Sequence, residues 1–303
     1  MYKIHLGSEY MKVISVVNYK GGVGKTTVTS NLAAGLAKRK YKVLAIDLDP
    51  QSNLTFSFLN LSEWKDKYAQ NKTIKNWFER IGNLKFENLI LNPNNVKDKH
   101  LNIISSHIGL IYSDIEIACK TSSIFSNKNQ KESYIKAHDI LKNGIKELRG
   151  YDIVLIDCPP SFNMITRNAI VASDYYLVPI KLDYLSTLGL NELKEHIKDL
   201  EKNYNDNLKN TNKEIYPKFL GVVCNMVTRR KEGLISTEEH YLSQLKQGDI
   251  SVFNSMLREN KSVYGDAPKE GIPVTMRKLS SQYNDINKEL DNLVNEFLER
   301  IGM

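Results

Sequence analysis

Ten residues, Asn18-Tyr19-Lys20-Gly21-Gly22-Val23-Gly24-Lys25-Thr26-Thr27, constrain this chain more than any other stretch. An apolar run, Val13-Ile14-Ser15-Val16-Val17, leads into them, and a helical pattern from Val28 to Lys38 leads out. Strand, glycine-rich turn, Gly-Lys-Thr and helix together make a loop suited to holding a phosphate. Glycines let backbone N–H groups close around the anion where a Cβ would obstruct them. The start of the helix adds a favourable partial charge. In such a loop Lys25 reaches the β- and γ-phosphates and the Thr26 hydroxyl sits on Mg²⁺. Gly21, Gly22, Val23, Gly24 and Thr27 complete the cradle.

Two further apolar runs end in carboxylates. Val43-Leu44-Ala45-Ile46 reads as a buried parallel strand and runs into Asp47-Leu48-Asp49-Pro50-Gln51. Ile153-Val154-Leu155-Ile156 runs into Asp157-Cys158-Pro159-Pro160, where two prolines stop the strand. Strands are also expected at 101–106, Tyr175–Ile180, Phe219–Asn225 and Ser251–Phe253. Helices are expected over Leu59–Ile81, Ile108–Lys120, Lys131–Leu148, Asn163–Ala172, Leu188–Leu200, Thr237–Gln247 and Tyr283–Ile301, with polar loops at 127–130 and 203–212. Ala267-Pro268 and Gly271-Ile272-Pro273 punctuate a loop before the last helix. Alternating strands and helices imply an α/β, doubly wound, mainly parallel sheet flanked by helices. Residues 1–11 read as a short lead-in and 12–303 as one domain. Carboxylates at the C-terminal ends of parallel strands face the crevice where such sheets bind ligands.

The block Lys20-Gly21-Gly22-Val23-Gly24-Lys25-Thr26-Thr27 resembles the deviant phosphate loop of the ParA/MinD ATPases. Stretches 12–53, 151–190, 219–230 and 252–274 also match ParA-type partition ATPases in family order. Tyr19 departs from the commoner glutamine. The resemblance implies a P-loop fold, ATP and Mg²⁺ as ligands, and ATP hydrolysis that is weak until a partner stimulates it. It implies that Lys20 reaches across an ATP-bridged homodimer to the partner's phosphates. Asp157 would hold Mg²⁺ through water, and Asp49 would position the attacking water, since an ordinary aspartate is a weak base. Asp47 would support the metal shell or Lys25, and Asn225 would meet the adenine edge. Partners implied are nonspecific DNA and a ParB-like centromere-binding protein. Arg229-Arg230-Lys231 and Arg258 fall at the family's DNA-contact positions.

Charge fits this without proving it. There are 42 basic and 35 acidic residues, a net +7, which permits contact with nucleic acid or an anionic membrane. Cys119, Cys158 and Cys224 are widely spaced and read as free thiols, with no zinc or iron–sulfur pattern. No signal peptide or membrane span is legible, so a cytoplasmic protein is expected, on the nucleoid when ATP-bound. A MinD-like ATPase docking on a membrane is one alternative. It needs a basic amphipathic C-terminal helix, whereas Leu290, Leu293, Val294, Phe297 and Ile301 lie opposite an acidic face carrying Glu289, Asp291, Glu296 and Glu299. A biosynthetic P-loop ligase is another, but no motif for a second substrate is present.

Overall fold

Apolar residues on both faces of each strand build the centre of this protein, and a computed structural model describes it over residues 11–96, 98–123, 130–208, 214–230 and 233–303. The lead-in before Met11, residues 127–129 and residues 209–212 of the expected loops, and Lys231 lie outside the described residues. The strands are β1 (Lys12–Val16), β2 (Val43–Asp47), β3 (Leu101–Ile104), β4 (Ile153–Asp157), β5 (Tyr175–Ile180), β6 (Lys218–Val227), β7 (Arg229–Arg230), β8 (Gly233–Leu234) and β9 (Leu257–Arg258). Seven of them form a parallel sheet in the order β3-β2-β4-β1-β5-β6-β9, and β7 and β8 pair as a separate hairpin.

Because successive side chains alternate across a strand, one continuous apolar run feeds two cores. Val13, Leu44, Ile46 and Val154 pack under helices Gln130–His138, Ile140–Glu147, Met164–Val171 and Tyr184–Asp206. Ile14, Val16, Val43, Ala45 and Leu155 pack under helices Lys25–Lys38 and Asn284–Ile301. The chain leaves β1 toward β2 on one side, and β5 pairs with β1 on the other. The strand order therefore reverses beside β1, and a crevice opens at its C-terminal end. β2 and β4 lie in register, so Asp47 and Asp157 sit side by side at that end.

The doubly wound parallel sheet is as the sequence predicts, but several elements differ. The single helix expected over Leu59–Ile81 is two, Leu61–Lys67 and Ile74–Glu79, preceded by the turn of helix Asn53–Phe56. The break has a cause: Asn76 Oδ1 accepts from Thr73 N at 3.0 Å and restarts the helix there. The helix expected over Lys131–Leu148 breaks at Asp139. That carboxylate accepts from the Tyr204 hydroxyl at 2.5 Å. Ser251–Phe253 makes only a bridge, Val252 to Val222, and the edge strand is β9 instead. A helix, Lys261–Glu270, occupies what reads as loop; Asn260 Oδ1 starts it by accepting from Val263 N at 3.0 Å.

In the last helix Leu290, Leu293, Val294, Phe297 and Ile301 are core residues, each at most 3% exposed. Among the described residues no helix is long and apolar enough to cross a membrane.

Candidate nucleotide site

The phosphate loop is hung from its neighbours before any ligand arrives. Asn18 Nδ2 donates to Pro179 O at the end of β5 (2.8 Å), and Asn18 Oδ1 accepts from Lys20 N (2.9 Å). Gly24 caps helix Lys25–Lys38 in the left-handed region, φ +86°. No acidic side chain occupies the first turn of that helix, so its exposed N–H groups favour an anion. Lys25 is buried, and its ammonium donates to Asn18 O (3.1 Å) and Lys20 O (3.3 Å). Burial lowers its pKa, with Asp157 pulling the other way. Two backbone carbonyls are weak partners for a buried ammonium, which leaves it ready to exchange them for phosphate oxygens.

Below the lysine lie three carboxylates. Asp157 is fully buried; it accepts from Thr26 Oγ1 at 2.6 Å, and Thr29 Oγ1 lies 3.3 Å away. Burial pushes its carboxyl up to about 7, against the pull of the Thr26 hydroxyl and Lys25. Asp47 is driven well above the carboxylate range by burial and then by Asp157. Its oxygens take Asp49 N (3.1 Å), Thr55 N (2.7 Å) and Thr55 Oγ1 (2.7 Å). Asp47 therefore braces the 48–55 turn from beneath and does not reach the wall of the cavity. Asp49 does reach it: Oδ1 accepts from Gln51 N at 2.9 Å, and its carbonyl is held by Ser106 Oγ at 2.6 Å.

A cavity of about 460 Å³ runs over Gly21, Gly24, Thr26 and Thr27 to Asp49 and Tyr264. A second, about 440 Å³, shares Thr27, Met226 and Tyr264 with it and continues toward Asn260 and Gly265. Asn225 lies at the base of the loop, 2% exposed, with Nδ2 donating to Val23 O at 2.8 Å. It is a strut under the loop whatever it does for a base. Tyr264 is a residue the sequence reading misses. Its hydroxyl is buried with no hydrogen-bond partner among the described residues, a costly arrangement unless something else supplies one.

The remaining sites are surface features. Lys20 does not point into its own cavity; its ammonium lies against Asp183. Tyr19, adjacent, bonds His196 and packs edge-on against Phe162. Arg229 and Arg258, far apart in sequence, meet at one carboxylate. Arg258 places Nε and Nη2 each 2.9 Å from Glu289 Oε1, and Arg229 Nε is 3.3 Å from the same oxygen. Arg229 and Arg230 form one arm of the β7–β8 hairpin. None of the three cysteines forms a disulfide.

A strand-loop-helix cradle at the switch point of a parallel sheet, with a buried aspartate touching the loop threonine, defines a P-loop nucleotide-binding protein. Residues 11–210 match the AAA domain family. The sporulation initiation inhibitor protein Soj of Bacillus subtilis is 27% identical over 92% of this chain and 98% of its own length. A plasmid partition protein of Borrelia burgdorferi, solved with AMPPNP, superposes with a TM-score of 0.68 at 22% identity, covering 96% of this chain and all of that one. The ATP complex of a Cyanothece McdA variant gives 0.74 at 21% identity, covering 97% of each. The chain belongs to the ParA family of ATPases.

Proposed function

We infer that this protein is a partition ATPase whose ATP-bound homodimer holds nonspecific DNA and lets go when a ParB-like partner stimulates hydrolysis. The observation that carries the DNA half is the meeting of Arg229 and Arg258 at Glu289. Glu289 and Asp285, the latter 3.6 Å from Arg258 Nη2, balance the two arginines as they stand. Arg229 (42% exposed) and Arg258 (29% exposed) would exchange these carboxylates for a phosphate backbone. For the nucleotide half, Thr26 and Asp157 are hard oxygen donors held together among three buried carboxylates, and that donor set fits Mg²⁺. Thr26 would bind the ion directly and Asp157 through water. The bound ion would neutralise charge shared by the β- and γ-phosphates. Lys25 takes the phosphates, Asp49 orients the attacking water, and Lys20 serves the partner's nucleotide. The MinD-like alternative has no free C-terminal stripe to offer a membrane, because that stripe is core.

The nucleoside half of ATP belongs in the second cavity, beside Met226 and Tyr264. Tyr264→Phe is expected to weaken ATP binding about fivefold to tenfold, the worth of one hydrogen bond to a neutral group. Its melting temperature should hold or rise, since the lost hydroxyl had no partner. Titration calorimetry beside a thermal melt checks both; unchanged affinity would remove Tyr264 from the site.

DNA binding is tested by fluorescence anisotropy on a random-sequence duplex with ATP, ADP or no nucleotide. Binding should need ATP. If a dimer meets four phosphates through Arg229 and Arg258, affinity should fall roughly 100-fold between 50 and 200 mM salt. Arg229→Glu should abolish it while ATP binding persists; Arg258→Glu should abolish it too, with ATP affinity measured alongside because Arg258 also lines the second cavity. An ATP-bound dimer indifferent to DNA would turn the reading toward protein positioning.

A further inference from the structure

The ammonium of Lys20 is fully engaged within its own subunit. Asp183 Oδ1 and Oδ2 accept from it at 2.8 and 2.7 Å, and Ser186 Oγ lies 3.4 Å away. An ammonium has three protons to give, so no donor remains for a phosphate elsewhere. Asp183 is no passing surface acid. It caps helix Tyr184–Asp206, accepting from Ser186 N at 2.9 Å, so its carboxylate is fixed by the fold and not by Lys20. The side chains of Lys20 and Asp183 are 33% and 39% exposed. The pair is therefore open enough to come apart. Beside it, Tyr184, Leu185 and Leu188 stand 64%, 63% and 51% exposed.

We propose that Asp183 is a positioning residue for Lys20: it keeps the lysine home in the monomer, and two subunits can join only when both lysines have left their aspartates. The proposal rests on the reading that Lys20 serves the partner's nucleotide. A partner's triphosphate carries more negative charge than one carboxylate, so it wins the lysine; the diphosphate carries less, and the exchange falls back. The aspartate thereby sharpens the dependence of pairing on the nucleotide's state. An exposed pair of this kind biases each lysine by up to about fivefold. Both must release, so the dimerisation constant shifts by as much as about 25-fold.

The test is Asp183→Asn, which keeps the helix cap, since asparagine caps as well as aspartate, and removes the charge. Sedimentation equilibrium is run with a non-hydrolysable ATP analogue and with ADP, beside thermal melts that verify the fold. The expected result is a dimer tightened about 5- to 25-fold with the analogue, and measurable pairing with ADP where the wild type has less. Lys20→Ala and the double variant complete the cycle: in the Lys20→Ala background, Asp183→Asn should change nothing. If Lys20→Ala pairs normally, the cross-subunit role of Lys20 fails, and the latch with it. If Lys20→Ala prevents pairing but Asp183→Asn leaves it unchanged or weakens it, the latch alone is overturned.

Discussion

Asp157→Asn should give a protein that no longer hydrolyses ATP yet is more stable than the wild type when no nucleotide is present. The two effects share a cause. Asp157 is fully buried, and burial holds its carboxyl near 7. In the unfolded chain an aspartate titrates near 4. The folded form therefore keeps a proton that the unfolded form has lost between those values, and the slope of stability against pH is negative there. The favourable contribution is complete below about 4 and gone once pH passes about 7. At pH 8 the ligand-free fold carries a buried charge beside Asp47, which burial and Asp157 disturb in the same direction. Asparagine keeps an oxygen for the Thr26 hydroxyl and discards the charge. The variant should gain roughly 1–4 kcal/mol at pH 8, and the fall in melting temperature from pH 5 to 8 should flatten. It should also lack the extra stabilisation expected when Mg²⁺ and ATP are added to the wild type, and its turnover should drop by at least about 100-fold. Melts at both pH values, with and without Mg²⁺ and ATP, test this; a ligand-free variant that melts lower than wild type at pH 8 would refute the account.

This cluster explains why so much of the site is legible in the sequence. A strand buried on both faces must be apolar throughout, so the first carboxylate after the run marks its C-terminal end. Asp47 and Asp157 announce themselves that way, and the glycine block after β1 does the same for the loop. What an aspartate does once there is less legible. Asp47 and Asp49 look alike in sequence, yet one braces a turn through Thr55 and the other faces the cavity. Spatial partners in remote elements are not written locally at all. Glu289, which gathers Arg229 and Arg258, sits in the last helix, where it reads as one of several surface acids. Asp183 escaped for a different reason. Exposed Tyr184 and Leu185 spoil the amphipathic pattern, so the periodicity begins four residues late, at Leu188. The cap signal, an aspartate three residues before Ser186, is present in the sequence but is masked by that broken pattern. Between 54 and 150 the helices are short; the restart at Thr73 is set by the Asn76 side chain, and after the break at Asp139 Leu141 N is taken by Asn168 Oδ1 from a remote helix, neither of which propensity registers.

Gly24→Ala should be the most disruptive single methyl in the loop, and the reason is measurable against its neighbour Gly22. Both glycines have positive φ, +70° at Gly22 and +86° at Gly24. Each substitution therefore carries the left-handed penalty of roughly 1–2 kcal/mol. At Gly22 an added Cβ meets nothing within 4 Å. At Gly24 it lands 1.9 Å from Asn225 Nδ2 and 3.2 Å from Asn225 Cγ. Asn225 must move, and its bond to Val23 O goes with it. That leaves a buried amide and a buried carbonyl without partners, a further cost of roughly 1–3 kcal/mol. Gly24→Ala is thus expected to lose about 2–5 kcal/mol, and Gly22→Ala about half of that or less. ATP affinity should follow the same order, because Asn225 fixes the carbonyl that shapes the phosphate cradle. Adding Asn225→Ala to Gly24→Ala opens the space and should recover part of the stability, although Asn225→Ala alone is destabilising. Denaturant melts of the four proteins decide it. Equal losses at Gly22 and Gly24, or no recovery in the double variant, would mean that backbone conformation alone sets the cost and that Asn225 does not hold the loop.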